Sequence, residues 1–236
     1  MTQSLLFLSL MEMVSAFETR PLYRGTAWDL SHHHVLYTET HQDLYRQGRL
    51  LYKTVTYRDN SGTVIARKWL NYHQSATTPS FQMTDERLDY IEGFQQMGER
   101  WHWFSGPKTR PAILETDLPT NATPVVDAGF DPFIQHSWEG LTSGNAVSFN
   151  FGSPREQGFF LFEAKPLDIA KHGGVTTLSL ELRLKNRLLR WLLDPIRLKY
   201  RQTAEGTIGL VSFEGQTNMT DAEGTLLKAR ILFDGP

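Results

Sequence analysis

"LSLELRLK", residues Leu178 to Lys185, decides the fold class. Leucines stand at 178, 180, 182 and 184, with Ser179, Glu181, Arg183 and Lys185 between them. A helix would scatter those leucines around its circumference, whereas a strand collects them on one face. "AVSFNF" repeats the alternation with Val147, Phe149 and Phe151, and "LKARILF" repeats it with Leu227, Ala229, Ile231 and Phe233. "LLYKTVTYRDNSGTVIARKWLNY" reads as two long strands joined at "RDNSG", where Gly62 supplies the positive φ of a tight reversal. Turn signals such as "RQGR", "TSGN", "REQG" and "KHGG" punctuate the chain at short intervals. The count predicts about ten strands in a meander, sandwich or barrel.

Two stretches depart from this rhythm besides the opening residues. In "VVDAGFDPFIQHSWEGL", Asp131 reads as an N-cap and Pro132 as a first helical residue. Phe133, Ile134, Trp138 and Leu141 then form one apolar stripe at helical period, and Gly144 is a stop. The prediction is a covering helix over about residues 132–143. In "NRLLRWLLDP", the crowded patch over 188–193 reads as a helical turn that ends before Pro195. The Pro/Thr-rich run from Pro107 to Pro124 reads as a long crossing loop, since similar strand patterns lie on both sides.

The 236 residues suit one large β domain. With 24 Lys+Arg against 26 Asp+Glu, a net charge of −2, the chain has no field to recruit nucleic acid. The absence of cysteine removes disulfides, thiolate nucleophiles and Cys-ligated zinc. Leu5–Ala16 is mostly apolar but too short to span a bilayer. Val14-Ser15-Ala16 fits a signal-peptide cleavage site, leaving Phe17 first. The missing basic residue ahead of the run and Glu12 within it oppose that reading. The expected organisation is therefore a leader over 1–16 and a single, exported β-rich domain over 17–236.

Candidate chemistry is sparse. Asp127, Asp131, His136 and Glu139 could form an acidic/His set, but the lone H-x-x-E lacks the second histidine of a helical zinc motif. Asp127 is read only as part of a turn before Gly129. His32–His34 sit in a turn, and neighbouring residues of a strand point oppositely, so they do not converge on one ion. Asp85, Glu86 and Asp89 read as a solvated turn. No G-x-S-x-G, P-loop or G-x-G-x-x-G occurs. The sequence marks no catalytic residue, metal site or cofactor, and it leaves enzyme activity undecided. The aromatic residues offer a different site: Trp69, Trp101, Trp103, Phe104, Trp138 and Trp191 are candidate walls of an apolar cavity.

"YRDNSGTVIARK", "VVDAGFDPFIQHSWEGL", "LLRWLLDPIRLKY" and "FEGQTNMTDAEG", taken in order, resemble an uncharacterised family of predicted exported proteins from Gram-negative and related bacteria. The resemblance runs over nearly the whole chain after Phe17 and implies no activity or functional residue. The pattern is more distantly similar to the half-barrel of periplasmic lipoprotein carriers, which implies a curved sheet with an apolar concave face. Together these readings predict a mainly β protein, a curved antiparallel sheet or incomplete barrel with one covering helix. The expected function is non-catalytic binding of an apolar ligand or a lipid-modified partner. The alternatives are a hydrolase at the 127–139 helix and an interaction module docking through a sheet edge or the 188–193 patch.

Overall fold

The computed structural model describes residues 17–19, 22–186 and 194–235. The expected leader and the 188–193 patch, with Trp191, lie outside the described residues. Sixteen strands are present among the described residues: β1 (Glu18–Thr19), β2 (Tyr23–Trp28), β3 (Val35–Arg46), β4 (Arg49–Arg58), β5 (Val64–Asn71), β6 (Ser80–Asp85), β7 (Tyr90–Met97) and β8 (Arg100–Gly106) come first. β9 (Ala112–Thr116), β10 (Thr123–Val126), β11 (Val147–Ser153), β12 (Gly158–His172), β13 (Val175–Leu184), β14 (Ile196–Gln202), β15 (Ile208–Thr220) and β16 (Leu226–Phe233) follow. About ten had been expected. Short strands such as β1 and β10 carry too few residues for their alternation to register. The Pro107–Pro124 run is likewise more than a loop, because it holds β9 and the start of β10.

All the strands join one sheet in the order β10-β11-β12-β13-β14-β15-β16-β2-β3-β4-β5-β6-β7-β8-β9, with β1 beside β3. Every pairing is antiparallel except β10 with β11. The two ends of the sheet, β9 and β10, are consecutive in the chain and do not pair, so this large curved sheet remains unclosed. Its ends nevertheless pack. Phe159 of β12 lies 5.2 Å from Trp103 and 6.1 Å from Phe94, and Arg155 in the β11–β12 turn reaches Glu92 at 3.3 Å.

Period-two alternation sets what faces inward. Leu178, Leu180 and Leu182 of β13 are buried as expected. The β4–β5 hairpin turns at "DNSG", with Gly62 at φ +85 and the Asp59 carboxylate accepting the amides of Ser61 and Thr63. The core falls into two clusters. One gathers Tyr37, Val55, Tyr57, Leu70, Phe94 and Trp103 from the β2–β8 half, together with Val126. The other gathers Phe149, Phe162, Leu178, Leu180 and Leu198 from the β11–β14 half.

The helix lies over this second cluster, in two pieces: α1 (Phe130–His136) and α2 (Trp138–Thr142), after a 3-10 turn at Asp127–Gly129. Bonds from Ser137 N to Phe133 O and from Leu141 N to Ser137 O carry the ladder through the junction. Phe133, Ile134, Trp138 and Leu141 are all buried, so the predicted stripe faces the sheet. Gly144, at φ +89, ends the helix, with Gly144 N donating to Leu141 O and Asn145 N to Gly140 O. The expected cap is corrected. Gly129 is the N-cap of α1 with no side-chain cap bond, and Asp131 stands within the first turn. A side chain at Gly129 would collide with the Thr77 carbonyl, so this approach of helix to sheet requires glycine.

Candidate functional site

The inward face of β2–β7 is only in part the apolar surface that a half-barrel pattern implies, because charged side chains are set among its apolar ones. On β3 the inward residues include Tyr37, Glu39 and Asp43; on β4 Leu51, Lys53, Val55 and Tyr57; on β5 Ala66, Lys68 and Leu70. Two lysines are thus buried inside the sheet. A buried ammonium is tolerated only with partners. Both partner sets include an aspartate from the start of the helical segment, Asp127 in the 3-10 turn and Asp131 in the first turn of α1.

Lys68 Nζ lies 2.6 Å from Asp127 Oδ2, and their side chains are 6% and 13% exposed. The other Asp127 oxygen accepts the Ala128 amide at 2.7 Å, and the residue adopts φ +46, a left-handed conformation that Asp tolerates better than most side chains. Lys53 Nζ donates to Tyr23 Oη at 2.9 Å and stands 3.6 Å from Asp43 and 3.9 Å from Asp131. Burial would push the Lys53 ammonium down, but Tyr23, Tyr72, Asp131 and Asp43 outweigh it and hold its pKa well above the ordinary lysine value. Tyr200 Oη donates to Asp131 Oδ1 at 2.7 Å. Burial first, and then the Asp131 charge, raise the Tyr200 pKa well above the usual phenol range. Tyr72 Oη adds a bond to Ala128 O at 3.3 Å, and Val126 N donates to Thr77 O at 2.8 Å.

Residues 127–142 therefore form a strap across the sheet. Its leading end is pegged by charged groups into the β2–β7 interior, and its trailing end rests on apolar side chains. At the trailing end, neutral side-chain bonds reach the sheet, from Trp138 Nε1 to Gln202 Oε1 at 3.1 Å and from Gln135 Nε2 to Ile208 O at 3.3 Å.

The acidic/His set does not converge. Asp127 and Asp131 turn inward to the lysines, while His136 and Glu139 are exposed on the opposite side of the strap. The hydrolase reading required a shared cleft, and this arrangement does not supply one. His32–His34 lie exposed in the β2–β3 turn, where Asp29 accepts the amides of His33 and His34. Asp85 is buried rather than solvated. Burial alone would raise its pKa, but the Arg87 guanidinium and the Arg87 and Leu88 amides hold it below the ordinary value. Among the described residues, no three His, Asp or Glu side chains gather as a metal site, and no helix is long and apolar enough to cross a membrane.

The candidate aromatic wall is distributed over three surfaces. Trp101 stacks on Phe94 with ring centroids 4.7 Å apart, and Trp103, fully buried, lies 4.3 Å from the same ring. Trp138 belongs to the other core cluster, under the strap. Phe104 is on the outer face over Gly93, and Trp69, 44% exposed, is also outside, stacked on Tyr52. Two grooves on the outer face, of about 300 and 360 Å³, are walled mainly by charged and polar residues such as Glu163, Lys165, Arg183, Lys199 and Arg230.

Lys53 and Lys68 were missed as functional residues. Their signal was present: each stands in phase with apolar residues on its own strand, Lys53 between Leu51 and Val55, Lys68 between Ala66 and Leu70.

No family model and no curated protein matches the chain. Among solved structures, it is similar to a β-barrel-like protein of the domain of unknown function DUF1849 from Brucella abortus. The identity is 8%, the TM-score 0.38, and the match covers 92% of this chain and 96% of that one. No residue role follows from this likeness.

Proposed function

We propose that the protein is a non-catalytic binding module of the bacterial envelope that receives an acyl chain or a lipid-modified partner beneath the strap. One observation carries the reading. The strap covers an apolar sheet face that includes Phe149, Phe162, Leu178 and Leu180, yet its buried ion pairs among the described residues stand at its leading end. Lifting the trailing end exposes apolar surface while leaving the buried ion pairs intact. Trp138 is then the wall residue that meets the ligand, with Trp101 and Trp103 holding the overlapped ends of the sheet together.

Native mass spectrometry and displacement of a fluorescent fatty acid test this reading on the purified chain. Copurified lipid or saturable displacement is expected. Trp138→Ala should weaken probe binding, and Trp69→Ala on the outer face should leave it unchanged. A chain with no copurified lipid and no probe binding refutes the reading.

A further inference from the structure

We propose that β9 is a docking edge for a second copy of this chain, pairing antiparallel with its own counterpart across a twofold axis. Among the described residues, β9 ends the sheet and has a ladder on one side only, to β8. Ala112, Ile113, Leu114 and Glu115 are all exposed, so both faces of the strand meet solvent. Ile113 and Leu114, on opposite faces, are 59% and 47% exposed. Soluble proteins ordinarily shield a terminal strand with charge, proline or a covering element. The opposite end of the sheet is shielded in this way: Val125 and Val126 of β10 are fully buried, and Val126 N is bonded to Thr77 O. On β9, the described residues add one backbone contact beyond the ladder, Gln157 Nε2 to Ala112 O at 3.3 Å, at the start of the strand.

Charge selects the occupant. The strand runs from Arg110 at its leading end to Glu115 and Asp117 at its trailing end. Arg110 is exposed, and the Asp117 side chain is 92% exposed, with Arg100 3.5 Å away. An antiparallel copy sets the Arg110 end of one chain against the Glu115/Asp117 end of the other, and symmetry repeats the match. A parallel copy sets like charge against like. A pairing of strands this short buries less than a standard stable interface, so the dimer is reversible and forms in the micromolar range.

Analytical ultracentrifugation of the full chain across micromolar concentrations tests this. A monomer–dimer equilibrium is expected, and Leu114→Lys should abolish it without lowering the melting temperature. Arg110→Glu and Asp117→Arg should each weaken dimerisation by about fivefold. The double variant Arg110→Glu/Asp117→Arg restores opposite signs at the 110–117 contact, while Glu115 keeps its charge, and should recover part of the lost affinity. A monomer at every concentration overturns the proposal. So does a dimer indifferent to all four variants. A monomer in which the β9 amides that point away from β8 resist hydrogen exchange shows that another segment of the chain covers the edge, and it overturns the proposal as well.

Discussion

Replacing Asp127 by Asn tests whether the strap is pegged by charge. The substitution keeps the side-chain shape, the acceptor for the Ala128 amide and tolerance of the φ of +46. It removes only the charge that faces Lys68 at 2.6 Å. With the two side chains 6% and 13% exposed, the ammonium left behind has little water to replace its partner. Neutralising one member of such a pair costs about 3–5 kcal/mol. Glu92 lies within electrostatic reach of Lys68 and softens the loss, which places the expectation near the lower bound, about 3 kcal/mol. For a chain of this length that corresponds to a fall in melting temperature of about 6–12 °C. Urea unfolding followed by tryptophan fluorescence, together with calorimetry, measures both. Adding Lys68→Met to the variant removes the stranded charge while keeping a long apolar side chain, and most of the loss should return. Two results would refute the reasoning: a single-variant loss below about 1 kcal/mol, as for an exposed pair, or a double variant no more stable than the single.

Two further outcomes follow from the same interior and its outer rim. Burial raises the Glu92 carboxyl above its ordinary 4.5, against the opposing pull of Arg155, Tyr90 and Lys68. A raised folded pKa means that the protonated acid favours the fold, so this contribution is fully present below pH 4.5 and is lost as pH rises through the folded value. Glu92→Gln, always neutral, should therefore melt above the parent at neutral pH, with the difference shrinking as the solution is acidified; a difference independent of pH would contradict the assignment. His136→Ala and Glu139→Ala, on the exposed side of the strap, should each change stability by no more than about 0.5 kcal/mol, and a larger loss by urea unfolding would show that they have partners.

The parts of this molecule legible in its sequence are those set by local geometry. The leucines of β13, the Gly62 reversal and the stripe Phe133, Ile134, Trp138 and Leu141 each follow from one period or one backbone conformation, and each lies where the pattern puts it. Asp131 does not cap the helix, although Asp-Pro is locally a good helix start. Its carboxylate is claimed instead by Tyr200, 69 residues away, and by Lys53. The aromatic wall dispersed because sequence spacing assigns a residue to one side of its own strand, not to one side of a rolled sheet. Trp69 and Trp103 are both strand residues at well-defined phase, yet one faces solvent and the other the core.

The buried lysines carry the more general argument. "LLYKTVTY" and "IARKWL" each place a lysine in phase with the apolar face of the strand, so phase and polarity disagree. Phase decides the outcome, because turning Lys53 outward would turn Leu51, Val55 and Tyr57 outward with it. The strand then needs a facing anion: Lys53 meets Asp43, its cross-strand neighbour on β3, and Asp131 of the strap, and Lys68 meets Asp127 of the strap. A lysine out of keeping with its own face therefore predicts a buried acidic partner, which for Lys53 includes a cross-strand neighbour and for Lys68 is a residue 59 positions away. Asp127, which had no local role beyond a turn, is the residue that this conflict identifies.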